Sequence, residues 1–283
     1  LRGFSAPVVL EFDYTDAQLL TLLAHDTDPF NRWEAGRALA KEVMARMVVE
    51  GAKPSGEMLD GMARVAFDDA LDPAFRALAL RLPAEDDMAA TLHAAGHVPD
   101  PDRIHRARRD LHLALAQAVA PRLGGLEAAM RVGGAYSPDA TAAGKRALRL
   151  AALSLLSRLD GGAAARAAYR SADNMTESFG ALACLLDNGQ GVAELDSFAA
   201  RWAGDRLVMD KWCSVQVAFA APDKVAEVVR ALTARPDFDW KNPNRFRALL
   251  GGLAATIALM RLGVRTFWAS GVVTPPRLQF SEA

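Results

Sequence analysis

Asp28-Pro29-Phe30-Asn31-Arg32-Trp33 opens a run that continues through Ala40, Val43 and Met47, and its reading decides the fold class. Asp28 can accept from an orphan amide at a helix start. Pro29 stands at the first helical position, where the amide it lacks has no intrahelical partner in any case. Beyond that start Phe30, Trp33, Ala40, Val43 and Met47 fall on one face at helical spacing. The same solution recurs at Asp72-Pro73, Ser137-Pro138 and Asn242-Pro243. Thr15…Gln18 and Asn174…Glu177 fit the capping box, in which the later side chain reaches back to the cap.

Further apolar stripes fit this reading. Val225, Val228, Val229 and Leu232 share a face, and Leu148, Leu155, Leu156 and Leu159 line another helix. Ala163-Ala164-Ala165 suits close helix–helix approach, because a methyl side chain keeps the axes near. Many short helices separated by brief Pro, Gly or Asp turns predict an all-α fold. The expected architecture is a superhelical stack of short helical hairpins, an α-solenoid of the HEAT or armadillo kind. No strict period marks the repeats. Pro7-Val8-Val9-Leu10-Glu11-Phe12 reads as a short strand, and it has no hairpin partner in sequence.

The bulk properties bound the function. The chain has 283 residues, 51% hydrophobic and 24% charged, with a formal net charge of −1. Such a balance gives no field for nucleic acid or an anionic membrane surface. No apolar run approaches the roughly 20 residues of a bilayer span. Leu1-Arg2-Gly3-Phe4-Ser5 does not read as a signal peptide, and a start without Met suits an excised fragment. Cys184 and Cys213 sit in apolar helical patterns, which favours two reduced, buried thiols and a cytoplasmic origin.

Several residues invite chemistry and are better read otherwise. His93 and His97 are spaced for a metal. Yet Ala94 stands where a metallopeptidase motif needs its Glu, and Gly96 and Pro99 end the helix. Two surface histidines at a helix C-terminus account for them. Arg103, Arg106, Arg108 and Arg109 with His105 form a basic cluster without interleaved aromatics, near the acidic Glu85-Asp86-Asp87. That pattern is an ordinary solvated surface. Gly133-Gly134, Gly161-Gly162 and Gly251-Gly252 lack the context of a phosphate loop and read as turns or packing points.

Arg245 and Arg247 stand apart. Both fall in the first turn of the helix that Asn242-Pro243 begins, where the helix dipole disfavours cations. A carboxylate would satisfy both guanidinium and helix terminus. That carboxylate is either a ligand's or a structural partner such as Asp210, Asp237 or Asp239, and the sequence leaves both readings open.

Four stretches carry a family resemblance. They are Leu1-Arg2-Gly3-Phe4-Ser5-Ala6-Pro7-Val8, Asn174-Met175-Thr176, Leu207-Val208-Met209-Asp210-Lys211-Trp212 and Asn242-Pro243-Asn244-Arg245-Phe246-Arg247. Over roughly residues 1–255 the chain resembles the C-terminal part of bacterial aminopeptidase N, a zinc-dependent alanyl aminopeptidase of the gluzincin family. The resemblance implies a terminal strand of a β-sandwich domain at 1–13, a helical C-terminal domain at 14–255 and a divergent tail at 256–283. It implies a non-catalytic cap that shapes the substrate cavity of an enzyme removing N-terminal residues from peptides. Its partners would be the catalytic domain of the same polypeptide and the peptide substrate.

The family's H-E-x-x-H zinc motif has no match here. Zinc is therefore expected in the full-length enzyme, none in this chain, and the chain alone should be inactive. In the family the arginine matching Arg247 faces the cavity. Arg247, with Arg245, is thus expected to bind the distal carboxylate of a peptide. After Ala255 the match is lost, which suggests a truncation or a change of reading frame. A solenoid lacking its last helices would expose an apolar end, a candidate homodimer surface. The competing reading is a free-standing α-solenoid that serves as a protein-interaction scaffold.

Overall fold

The computed structural model describes residues 12–251. The strand expected over 7–12, apart from Phe12, and the tail expected from 256 lie outside the described residues. Within them the chain is all-α, with α-helices α1–α13 and no strand. They fall into two compact units, divided between Gly191 and Val192.

The first unit holds α1 (Asp16–His25), α2 (Pro29–Glu50), α3 (Gly56–Ala66), α4 (Pro73–Ala79), α5 (Glu85–Ala94), α6 (Pro101–Ala129), α7 (Ala140–Asp160), α8 (Ala163–Ser171) and α9 (Met175–Leu186). Helices close in sequence pack together: α1 on α2, α6 on α7, and α8 on both α7 and α9. Such neighbour-on-neighbour packing is the logic of a repeat fold. The helices are less uniformly short than the turn pattern suggested, since α2, α6 and α7 run 22, 29 and 21 residues.

Most starts follow the expected chemistry. Asp28 and Asp72 cap α2 and α4, each directly before a proline. Thr15 and Gln18 close a full capping box on α1. Two expectations need correction. Ser137-Pro138 does not start a helix: α7 begins at Ala140, capped by Asp139, which accepts from the Ala142 amide at 2.9 Å. Ser137 Oγ instead accepts from the Asp139 amide at 3.3 Å. Asn174 does cap α9, but the Glu177 side chain meets the Asn174 side-chain amide at 2.7 Å rather than the backbone. Glu177 is drawn inward by Arg149, as described below.

The buried faces also differ in detail from the stripes. In α2 the core side is Ala35, Leu39, Ala40, Val43, Met44 and Val48, while Phe30 lies 40% exposed against Trp33. In α7 Leu148, Ala152, Leu153 and Leu155 are buried, but Leu159 is exposed. Of the alanine run, Ala165 is buried in a cluster with Leu153, Ala168, Ala181, Cys184 and Leu185, Ala164 packs partly against it, and Ala163 is exposed.

Three buried charged side chains cross this core. Arg149 on α7 donates to Glu127 of α6 at 2.8 Å and to Glu177 of α9. Burial works against the charge on Arg149, and its hydrogen bonds to Glu127 and Glu177 overcome that, so its pKa is raised. The trio ties three helices in a medium that would otherwise penalise each charge.

The second unit holds α10 (Val192–Trp202), α11 (Arg206–Ala218), α12 (Val225–Thr233) and α13 (Pro243–Phe246), followed by a π-helical turn, Arg247–Gly251. α11 contacts α10, α12 and the π-helical turn. Val225, Val229 and Leu232 bury the expected face of α12.

Candidate functional site

The two motifs read from the second unit converge on one cluster. Asp205 caps α11 by accepting from the Leu207 and Val208 amides at 3.0 and 3.1 Å. The helix then carries Asp210, Trp212 and Cys213 inward, while Leu207 stays 66% exposed. Asn242 caps α13 by accepting from Asn244 at 3.0 Å and Arg245 at 3.4 Å. That cap sets the direction of the two arginines that follow.

Arg245 turns inward. It is buried, and its Nε donates to Oδ1 of buried Asp210. Asp237 lies 4.0 Å from the same guanidinium and is itself forked by Arg235 at 2.8 and 3.0 Å. That fork holds the Asp237 carboxyl below its ordinary range. Arg235 in turn lies 4.7 Å from the centre of the Trp212 ring, whose Nε1 donates to the Leu195 carbonyl at 2.9 Å. Burial pushes the Cys213 thiol up, against the opposing charges of Arg245 and Arg235. Of the acidic candidates named from sequence, Asp210 and Asp237 face Arg245. Asp239 serves its own turn, accepting from the Lys241 amide at 2.9 Å.

Arg247 turns outward. It is exposed; its backbone N–H donates to the Asn244 and Pro243 carbonyls, while its guanidinium has no hydrogen bond or ion pair among the described residues. It is also the first residue of the π-helical turn. Such turns are rare and concentrate at functional sites. No periodicity in the sequence announces this one. Phe246, beside it, is 42% exposed, and the Trp240 ring lies 6.4 Å away from the Phe246 ring. The arrangement offers an unpaired cation next to aromatic surface on a helix held from behind by a buried ion pair. It can attract a carboxylate.

The other residues singled out from sequence are dispersed. His93 occupies the last turn of α5, but His97 lies beyond that helix, past Gly96 at φ +82°, so the spacing no longer holds one face. Among the described residues no three His, Cys, Asp or Glu side chains gather to hold a metal ion. Their donor set therefore does not fit zinc. In the basic cluster His105 meets Glu85 at 2.8 Å, Arg106 donates to the Asp102 carbonyl and Arg108 to the Pro83 carbonyl. Asp87 takes Arg37 and Lys41, both at 2.7 Å. Cys184 and Cys213 are free and buried, and burial pushes the Cys184 thiol up to about 12.

These features place the chain in a known class. Residues 16–259 match the family model "Domain of unknown function (DUF3458_C) ARM repeats", and the chain belongs to that family. Among curated proteins it is similar to the C-terminal part of aminopeptidase N. It is 40% identical over 261 residues to the Caulobacter vibrioides protein, and 32% and 30% identical to those of Haemophilus influenzae and Escherichia coli. Each alignment covers 90% of this chain and 30% of the relative. The chain thus spans about a third of the length of the curated relatives it matches. A solved structure, Legionella pneumophila aminopeptidase A in complex with aspartic acid, matches with a TM-score of 0.80 at 25% identity. That match covers 95% of this chain and 32% of the other.

Proposed function

We propose that this chain is the C-terminal helical cap of a zinc aminopeptidase N that removes N-terminal residues from peptides, and that it shapes the substrate cavity of that enzyme. The observation that carries the reading is the alignment of nearly the whole chain with the C-terminal part of aminopeptidase N. Both cysteines are free, which fits work in the reducing cytoplasm.

In this reading the chemistry belongs to a catalytic domain in the same polypeptide. The cap supplies a wall and a charge. Arg247 attracts the distal carboxylate of a bound peptide. Arg245, through Asp210, holds the backbone that presents it. A guanidinium fork suits a carboxylate in both charge and geometry. Its contribution depends on the substrate having that carboxylate within reach.

Kinetics of Arg247→Ala in the intact aminopeptidase test this. With short peptides kcat/KM should fall about tenfold, the loss of one charge-assisted contact of about 1.5 kcal/mol. With an alanine anilide, which has no distal carboxylate, it should hold. Equal losses on both substrates would remove Arg247 from substrate binding.

A further inference from the structure

The first unit contains a cleft of about 580 Å³, lined from the end of α4, from α6 and α7, and from the link between them. Its charged lining is of one sign. Arg81, Arg108 and Arg146 face it with His112, while no Asp or Glu does so among the described residues. Tyr136, Ser154 and Thr176 add hydroxyls, and Leu80, Leu82, Leu150 and Leu155 supply apolar wall.

The pairing of these arginines is unusual for this molecule. Arg76, Arg149, Arg158 and Arg245 each reach a carboxylate, on Asp69, Glu127 with Glu177, Asp187 and Asp210 respectively. Arg146 is as buried as they are, at 3% exposure. Yet its NH2 donates to the Ser137 carbonyl at 2.6 Å and its guanidinium lies 4.6 Å from the centre of the Tyr136 ring. Exposed Asp139 feels its charge but makes no ion pair with it; that carboxylate caps α7 by accepting from the Ala142 amide. Arg108 likewise has a carbonyl, on Pro83, at 3.0 Å. The Arg81 amide donates to the Leu78 carbonyl at 3.1 Å, but its guanidinium has no polar partner among the described residues. Arg108 is half-buried and Arg81 exposed at the mouth, so the cost of burial falls on Arg146, whose guanidinium makes no ion pair among the described residues; a ligand that brings an anion would relieve it.

His112 completes the donor set as a neutral group. Its Nδ1 accepts from Arg158 Nε at 3.2 Å, which leaves its single proton on Nε2. Burial, then the charges of Arg158 and Arg108, lowers its pKa to about 4, so it lines the cleft uncharged near neutral pH.

We propose that this cleft binds a small organic anion, a carboxylate or phosphate carried on an apolar body, with Arg81, Arg108 and Arg146 gripping the charge and the leucines covering the body. The volume falls within the range of small-molecule sites, and planar guanidinium forks match both anions. The proposal does not depend on the aminopeptidase reading.

Calorimetric titration of the 283-residue chain tests it, with phenyl phosphate and phenylacetate as probes. At least one should saturate a single site, and their ranking tells phosphate from carboxylate. Inorganic phosphate, lacking the apolar body, should bind at least about tenfold more weakly than the better aromatic anion. Phenethylamine should not bind. Arg146→Gln should weaken the better probe at least about tenfold. Because Arg146 also holds the Ser137 segment, Arg81→Gln serves as the second variant: Arg81 is exposed, and its loss should leave the melting curve unchanged while weakening binding. Arg64→Gln, exposed on α3 and outside the lining, should change nothing. Absence of saturable binding by both aromatic anions, or equal weakening by Arg64→Gln and Arg81→Gln, would overturn the site.

Discussion

Arg245 sits in the first turn of α13, where the helix dipole opposes a cation, and it is nonetheless buried. Asp210 resolves both problems at once. Removing one partner leaves the other charge alone in the interior, which typically costs about 3–5 kcal/mol. Arg245→Met and Asp210→Leu should each destabilise by that order, and the double variant should regain most of the loss, as urea unfolding would report. Additive losses would mean that the pair is not coupled. His112 makes a second test. Burial first, then Arg158, Arg108 and Arg109, lowers its pKa from 6.5 to about 4, with Asp187 opposing. The unfolded chain therefore binds the proton first as pH falls. The stabilisation is complete above pH 6.5 and is lost as pH drops through 4, by on the order of 3 kcal/mol. His112→Gln should flatten that part of the stability-against-pH curve; an unchanged slope would show that other groups set it. The sequence could say that Arg245 needs a carboxylate, but its partner lies 35 residues away, and helical periodicity cannot choose among Asp210, Asp237 and Asp239. Glu127 and Glu177 lie 22 and 28 residues from Arg149, and nothing local marks the three as a unit.

Helices are where the sequence was most readable, and their errors have local causes. Asp28 and Asp72 were readable because one capping side chain directly precedes one proline. At 137–139 two capping side chains flank a proline, and the pattern cannot say which accepts the helical amide. The structure gives that role to Asp139. Asp139→Ala should therefore lower the melting midpoint, while Ser137→Ala should leave it nearly unchanged; the reverse order would restore the start at Ser137. The Ser137 hydrogen bond and the Ala142 amide hold the Asp139 carboxyl below its ordinary range. Its capping contribution should thus be present above that range and fade as acid protonates it. The leucines of α7 alone predict a face that contains exposed Leu159 and omits buried Arg149. Alanine was the better guide at α8. Ala165 is fully buried where α8 meets α7 and α9. Ala165→Leu should overpack that contact and cost about 1–3 kcal/mol, measurable by chemical denaturation.

At the scale of the whole molecule, fold and chemistry part company. The all-α repeat character could be read from capping residues and apolar stripes, because helix starts and helical faces are local properties. A catalytic role could not be built from them, because metal-assisted hydrolysis needs ligands that converge on one ion and a water held on it. The 283 residues contain no H-E-x-x-H motif, and the described residues gather no three-ligand cluster. His93 and His97 supply two imidazoles, but the helix ends between them. The purified chain with added zinc should therefore release no chromophore from an alanine anilide and should retain less than one zinc per chain after desalting. Zinc-dependent turnover lost in His93→Ala would move the chemistry into this chain. The cap reading would then fail, because a wall that hydrolyses peptides by itself has no need of a catalytic domain elsewhere in the polypeptide.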